Sequence, residues 1–275
     1  MDLETLKDTP PWDWPEEVGN VFLGVLRDHQ ADGTDRLLAA ELAGESVVIN
    51  DELVDALLSI LCSGDELEEL RCRAAISLGP ALEYAYMDGF EDPDDVPISE
   101  KTFLRIQETL LKLYLDPEVP KEVRRPVLEA SVRAPQDWHP DALRTAYSGD
   151  DEEWKLTAVF SMCFIRGFDE QILESLDSKN PDIHYQAVCA AGNWGVGEAW
   201  PHVAALVTSE ETEKDLLFAA IEAAVGINPK KAPEILFDLT ESEDEDIAEA
   251  AYEALDMAGG LSELEDLDDD EEFLH

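Results

Sequence analysis

A short skeleton recurs along this chain at a nearly constant interval, and it leaves little choice of fold. Leu70 heads one copy: the next residue is Arg71, small residues stand four and seven places on at Ala74 and Ser77, and Gly79 closes the run. Val123 heads Arg124 and Ala130, with the larger Val127 at plus four, and Trp154 heads Lys155, Ala158 and Ser161. Ile183 heads His184, Ala187, Ala190 and the closing Gly192. Leu216 is followed by Ala220 and Ala223, and Ile247 by Ala251 and Ala254; the basic position is lost at Leu217 and Ala248. Near the start, Asp35 heads Arg36, Ala39 and Gly44, with Leu42 at plus seven. A fixed interval of this kind is the mark of a repeat architecture.

Positions four and seven beyond an anchor share one face of a helix, so small residues there let a neighbouring helix approach closely. A shorter apolar segment precedes each anchored one: Leu53–Leu61, Phe103–Leu115, Pro140–Tyr147, Glu170–Leu176, Pro201–Val207 and Pro233–Leu239. The turn between the two is polar and acidic, as in Ser63-Gly64-Asp65 or Ser148-Gly149-Asp150-Asp151. A single helix pair cannot bury its apolar face; stacked pairs can. The expectation is an all-α, right-handed α-solenoid of about seven antiparallel helix pairs over residues 16–260. The alternative is a plain helical bundle, which would not require the fixed interval.

Three segments fall outside the register. Residues 1–15 contain Pro10-Pro11-Trp12-Asp13-Trp14-Pro15, which reads as a rigid extended stretch. The longest interval hides an acidic insertion over residues 86–98, and residues 261–275 form an acidic tail that reads as disordered and ends Phe273-Leu274-His275. Pro126 interrupts one anchored helix.

The two-helix unit, with its Arg or Lys after the anchor, resembles the HEAT-repeat family, in particular the short HEAT-like repeats of the phycobilisome-lyase type. That family is defined by packing, so the resemblance implies an architecture and leaves function open. It implies one activity to weigh, attachment of an open-chain tetrapyrrole held in the solenoid groove. Trp154, Trp194 and Trp200 are the aromatics that would stack on such a ligand, but aromatics at helical spacing belong more often to a core, and the ligand's propionates would want cations that are scarce here. A tetrapyrrole- or small-ligand-binding, lyase-like protein is therefore the second reading.

Other chemistries fare worse. The histidines (His29, His139, His184, His202, His275) include no pair at i,i+4, no His-Glu-x-x-His and no Cys/His cluster with zinc spacing. The resemblance extends to di-iron hydroxylases that ligate metal through His-Glu dipeptides, and this chain has no such dipeptide. Asp88-Gly89-Phe90-Glu91 breaks the order of a calcium loop. His184 stands where Arg71, Arg124 and Lys155 stand elsewhere, which makes it a polar member of a ladder between repeats. No catalytic group, cofactor or metal is expected. Cys62, Cys72, Cys163 and Cys189 form no C-x-x-C pair, sit in apolar runs and read as buried, reduced thiols of a cytoplasmic protein. The start of the chain does not read as a signal peptide, and no apolar run approaches the roughly 20 residues of a membrane span.

Charge decides the class of partner. The chain carries 65 acidic and 19 basic residues, a formal net charge of −46. Such a field repels phosphate backbones and anionic lipid and attracts basic proteins. Helix capping explains some acids, with Asp65, Asp182, Asp215 and Asp244 standing where second helices begin, and adaptation to high salt would explain a general excess. The clusters point further. Asp150, Asp151, Glu152 and Glu153, then Glu210, Glu211 and Glu213, then Glu241, Glu243, Asp244, Glu245 and Asp246 all fall in turns inside repeats. In a solenoid those turns line up along one edge. The expected function is a non-enzymatic protein-interaction scaffold whose acidic ridge binds a basic protein or peptide, in the manner of an inhibitor, an immunity protein or a nucleic-acid mimic. Phe273 and Leu274 behind the acidic tail have the form of a short linear motif. Nucleic acid and membrane are not expected as partners, and the oligomeric state is left open.

Overall fold

The computed structural model describes residues 3–91 and 96–259, and among them every regular element is helical. In chain order these are α1 (Leu3–Lys7), α2 (Val18–Arg27), α3 (Gly33–Leu42), α4 (Asp51–Cys62), α5 (Glu68–Ile76), α6 (Gly79–Asp88), α7 (Glu100–Leu115) and α8 (Lys121–Ser131). They continue as α9 (His139–Ser148), α10 (Glu152–Met162), α11 (Asp169–Ser175), α12 (Pro181–Trp194), α13 (Trp200–Val207), α14 (Lys214–Ile227), α15 (Ala232–Leu236) and α16 (Glu245–Met257). The chain divides into two compact units, Met1–His139 and Pro140–His275.

Each unit is a stack of antiparallel helix pairs, the solenoid arrangement that the register implies. In the first, α2/α3, α4/α5 and α7/α8 pair, and the second helices stack as α3 on α5 on α8. In the second unit, α9/α10, α11/α12, α13/α14 and α15/α16 are the pairs, and α10, α12, α14 and α16 stack in series. The small residues of the skeleton sit where expected. Ala39, Ala74, Ala130, Ala158, Ala187, Ala220, Ala223, Ala251 and Ala254 are all buried.

The closing glycines explain why the seventh position is small. A Cβ on Gly44 would lie 2.8 Å from the Cβ of Ser77, and one on Gly192 would lie 2.6 Å from the Cα of Ala223. A Cβ on Gly79 would meet the Cα of Ala130 at 3.6 Å and the Arg133 side chain at 2.7 Å. In all three cases the glycine nine places after one anchor faces the small residue seven places after the next. At Gly44 and Gly192 the repeats are joined by a seam of backbone against backbone, and at Gly79 the Arg133 side chain takes up the space.

The basic position also has a physical role. Arg71 donates from Nε to the carbonyl of Leu61 at 2.9 Å, and Arg36 from Nη2 to the carbonyl of Leu26 at 3.3 Å. Both carbonyls belong to the last turn of the preceding helix, where backbone acceptors lack helical partners and the dipole is negative. Arg36 also grips Glu66 with both oxygens, at 2.7 and 2.8 Å. The bond to Arg36 holds the Glu66 carboxyl below its ordinary range.

Pro126 does not interrupt its helix but lies within the continuous α8. Three further sequence expectations are corrected. The described part of residues 1–15 is not an extended stretch: Leu3 and Leu6 are buried on α1, and Pro11–Asp13 form a 3-10 turn. Trp14 ties this segment down, its indole N–H donating to the carbonyls of Leu6 and Thr9 at 3.0 and 2.9 Å and its ring meeting Phe22 edge-on at 5.6 Å. Second, the acidic insertion at 86–98 begins inside a helix, because Gly79-Pro80 starts α6 rather than ending a repeat. Proline fits the first turn of a helix, and α6 packs against α7 and α8. Within the insertion, Phe90 packs on Phe103 with ring centroids 5.4 Å apart, and Val96 and Ile98 are buried. Third, the thiols are unpaired but not deeply buried: Cys62 is exposed and Cys72, Cys163 and Cys189 are half-buried. Partial burial raises all four thiol pKa values, Cys163 to about 12, which keeps them protonated and poorly nucleophilic. The tail 261–275, with Phe273 and Leu274, lies outside the described residues.

One buried polar group gives the first unit an acid response. His139 is fully buried, and its Nδ1 accepts from the Gln136 backbone N–H at 2.9 Å. The proton therefore sits on Nε2, 3.0 Å from the Ser131 hydroxyl, which itself donates to the Leu128 carbonyl. Burial lowers the His139 pKa to about 4. A lowered histidine pKa means that the unfolded chain binds a proton that the folded one refuses. The stability is complete above pH ~6.5 and drains as pH falls toward 4. We expect a loss of about 1.5 kcal/mol between pH 6.5 and 5 attributable to this group. Urea titrations of the protein and of His139→Asn at both pH values measure it, since Asn keeps the acceptor but does not titrate. A gap between the two proteins that stays constant with pH would refute it.

Candidate functional site

The acidic turns of the second unit share an edge because its second helices run parallel. The C-terminal ends of α10 and α12 meet: the Trp194 indole donates to the Met162 carbonyl at 2.6 Å, and the Asn193 amide to the Cys163 carbonyl at 3.3 Å. The C-terminal halves of α12 and α14 meet at Gly192 and Ala223. The N-terminal ends of α14 and α16 meet through Lys214, whose Nζ lies 2.9 and 2.8 Å from the Asp244 oxygens and 2.6 Å from Asp246. Four parallel helices therefore present their N-termini, and the positive ends of their dipoles, on one side.

Each candidate acid can be placed on this edge. Asp151 is the N-cap of α10, accepting from the Glu153 and Trp154 backbone N–H groups at 3.1 and 3.4 Å, and Glu152 and Glu153 follow in the first turn. Asp150 precedes the cap and is exposed. Glu210 and Glu211 are exposed in the α13–α14 turn, and Glu213 stands at the N-cap position of α14 without a side-chain capping bond. Glu241 ends a 3-10 turn after α15, and Glu243 is exposed. Asp244 caps α16 by accepting from the Asp246 N–H at 3.1 Å, and Glu245 and Asp246 fill its first turn.

Capping and display are thus divided between residues. Asp151 and Asp244 hold helix ends, and Asp244 and Asp246 are further engaged by Lys214. That hydrogen bond lowers the Asp244 pKa and raises that of Lys214. The α11–α12 turn between the two outer clusters is capped by Asn180, accepting from Asp182 and Ile183, and it carries exposed Lys179 beside Asp177. The ridge is therefore a strongly acidic edge with Lys179 in one of its four turns and Lys214 bridging two others. Lys214 and Lys179 were missed in the sequence, where single lysines among many acids give no signal of their position.

His184 does belong to the inter-repeat ladder. Its Nε2 lies 2.7 Å from Nε2 of His202 on α13, with ring centroids 5.0 Å apart. These distances place the two nitrogens nearly on the line joining the rings, the geometry of a single shared proton. Desolvation first, and then His202, lowers the His184 pKa. Among the described residues, no group of three or more His, Cys, Asp or Glu side chains is arranged to hold a metal ion. Of the aromatics weighed for a tetrapyrrole, Trp194 has its ring covered by the Arg166 guanidinium, 4.6 Å from the centroid. Among the described residues no helix is long and apolar enough to cross a membrane.

No protein-family model matches this chain, and no curated protein matches it. The likeness to HEAT repeats accordingly rests on the helix pair and its register, and nothing narrows it to the phycobilisome-lyase type. Among solved structures, the chain is similar to the Escherichia coli protein YibA, with 16% identity and a TM-score of 0.48 over 86% of this chain and 85% of that one. It is also similar to an engineered protein, at 20% identity and a TM-score of 0.43 over 75% and 96% of the two chains. Human deoxyhypusine hydroxylase in complex with glycerol matches at 16% identity and a TM-score of 0.41 over 94% and 88%.

Proposed function

We propose that this protein is a non-enzymatic interaction scaffold whose acidic edge in the second unit captures a basic protein or peptide. The observation that supports the reading is the parallel stack of α10, α12, α14 and α16, which brings the acids of separate turns to one side. Dipole compensation calls for one or two acids per helix end. The edge carries more, and Asp150, Glu152, Glu210, Glu211, Glu213, Glu243 and Glu245 are exposed. Clustered charge of one sign steers an oppositely charged partner and raises its association rate by roughly 10- to 1,000-fold.

The test must separate this edge from the general acidity of the chain. Glu152, Glu210, Glu211 and Glu243 are exposed and none is a cap, so their replacement by Lys leaves the helix ends intact. We expect the quadruple variant to bind an octa-arginine peptide at least tenfold more weakly in 150 mM salt, where charges farther apart than about 8 Å are screened. Reversing four exposed acids of the first unit, Glu16, Glu45, Glu52 and Glu118, changes the net charge equally and should cost far less. Equal losses from both variants would show attraction to net charge alone and end the proposal.

A further inference from the structure

Besides the edge, the second unit has an apolar groove running along the length of its last second helix. It lies between α14 and α16 and encloses about 300 Å³. Phe218 and Ile221 of α14 and Ala250, Ala254 and Met257 of α16 form its floor and walls. Its rim carries Glu222 on one side and Asp246, Glu249 and Glu253 along the other, with Lys214 paired to Asp246 and lying over the Phe218 ring at one end. Glu222, Glu249 and Glu253 are exposed, and Met257 is 67% exposed, a large apolar side chain left to solvent. A second groove, between α12 and α14, shares Glu222 and Met257 with the first.

We propose that this groove seats a basic amphipathic helix of a partner protein, with its apolar stripe on the floor and its Lys and Arg residues against the rim. The claim rests on the reading of the chain as a binder of basic proteins and names the place and form of the bound segment. From Asp246 to Met257 the groove follows twelve residues of α16, about 16 Å, or three turns of a facing helix. Ala250 and Ala254 keep the floor shallow, so a partner backbone can approach closely. An extended peptide fits less well. The floor consists of helix side chains, which offer an extended backbone no row of donors and acceptors, whereas a helix satisfies its own. Charge selects among occupants. The tail of this chain (Gly260–His275) and a second copy of it are both strongly acidic and would be repelled by the rim. A basic segment is the complement.

The experiment uses the full chain and two probes. One is a 14-residue helix of leucine and lysine with all leucines on one face, and the other is octa-arginine. Binding is followed by calorimetry in 150 mM salt. Ala250→Trp fills the groove without changing charge and should weaken the amphipathic helix at least tenfold while leaving octa-arginine unaffected. Glu249→Lys with Glu253→Lys, both at exposed positions, should weaken the helix to a similar degree, and serves if Ala250→Trp misfolds by circular dichroism. A scrambled leucine–lysine peptide that binds as well as the amphipathic one, or insensitivity to both variants, overturns the groove, whether or not octa-arginine still reports the edge. Amphipathic binding that is lost in the groove variants but kept in the edge variant leaves the groove standing without the edge. Displacement of the helix by a synthetic peptide of residues 260–275 would make the tail the occupant. A dimer abolished by Ala250→Trp would make it a second copy. Either result would sink the proposal.

Discussion

Replacing Gly226 by Val should cost the second unit at least about 3 kcal/mol, enough to unfold a marginal domain. A Cβ at this position would lie 2.4 Å from the carbonyl oxygen of Gly192, 3.0 Å from its carbonyl carbon and 3.3 Å from its Cα. All three atoms are backbone, so no side chain can swing aside. Relief requires α12 and α14 to separate, and separation opens the gap that Ala187, Ala220 and Ala223 now close. Overpacking at flexible sites costs roughly 1–3 kcal/mol, and a clash with main chain belongs at or above the top of that range. Gly24→Ala is the natural control. That glycine lies inside α2 with nothing within 4 Å of an added Cβ, so better helix propensity should stabilise by up to about 1 kcal/mol. Chemical denaturation of both variants by circular dichroism settles the matter. A Gly226→Val protein within about 1 kcal/mol of the parent would mean that the seam is looser than its distances imply.

The second large effect belongs to Arg36. The residue is 7% exposed, and its Arg36→Met variant would strand two groups at once. Glu66, whose side chain is 11% exposed, would keep only His29 at 3.3 Å, and the Leu26 carbonyl would lose its donor. Breaking a largely buried pair by removing one partner costs roughly 3–5 kcal/mol, because the remaining charge is left desolvated. The double variant Arg36→Met with Glu66→Leu removes that charge as well and should recover a large part of the loss. The effect should also depend on acid. The Arg36 bond holds the Glu66 pKa below its ordinary value, so its stabilisation is present above pH ~4.5 and is lost as pH falls through the lowered value. The gap between Arg36→Met and the parent should therefore narrow in acid. A double variant no more stable than Arg36→Met would assign the cost to lost packing of the arginine stem.

Much of the fold could be read from the register, because packing at a repeat interface selects for size at fixed positions. Ala74 and Ser77, or Ala187 and Ala190, announce a close neighbour whatever surrounds them. The basic residue after the anchor was legible as a pattern but not as a cap, since Arg71 and Leu61 become neighbours only when two helices fold back on each other. The start of α6 was hidden by Gly79-Pro80, a dipeptide that serves equally as the end of one helix or the opening of another. Residues 1–15 misled through their prolines, while the decisive contact, Trp14 on Phe22, depends on tertiary packing. The edge of acids was legible because turns inside repeats recur with the helices. The Lys214 bridge was not, because it joins residues about 30 apart. Phe218, Ala250 and Met257 were missed as groove residues for a related reason. Nothing in their own helix distinguishes them from positions that a following repeat would cover. The one available signal was the doublet Glu249-Ala250 and Glu253-Ala254, which sets carboxylates beside small residues at helical spacing.

The glycine seam sets how such a protein can change over generations. At Gly44 and Gly192 the permitted side chain is a hydrogen atom, dictated by the main chain of the next repeat. The acidic turns stand at the far ends of the same helices and touch none of those atoms. Selection can therefore rewrite the turns, reversing their sign or retuning them for a new partner, while the seams stay fixed. In this fold, inheritance of shape and adaptation of surface draw on separate sets of residues.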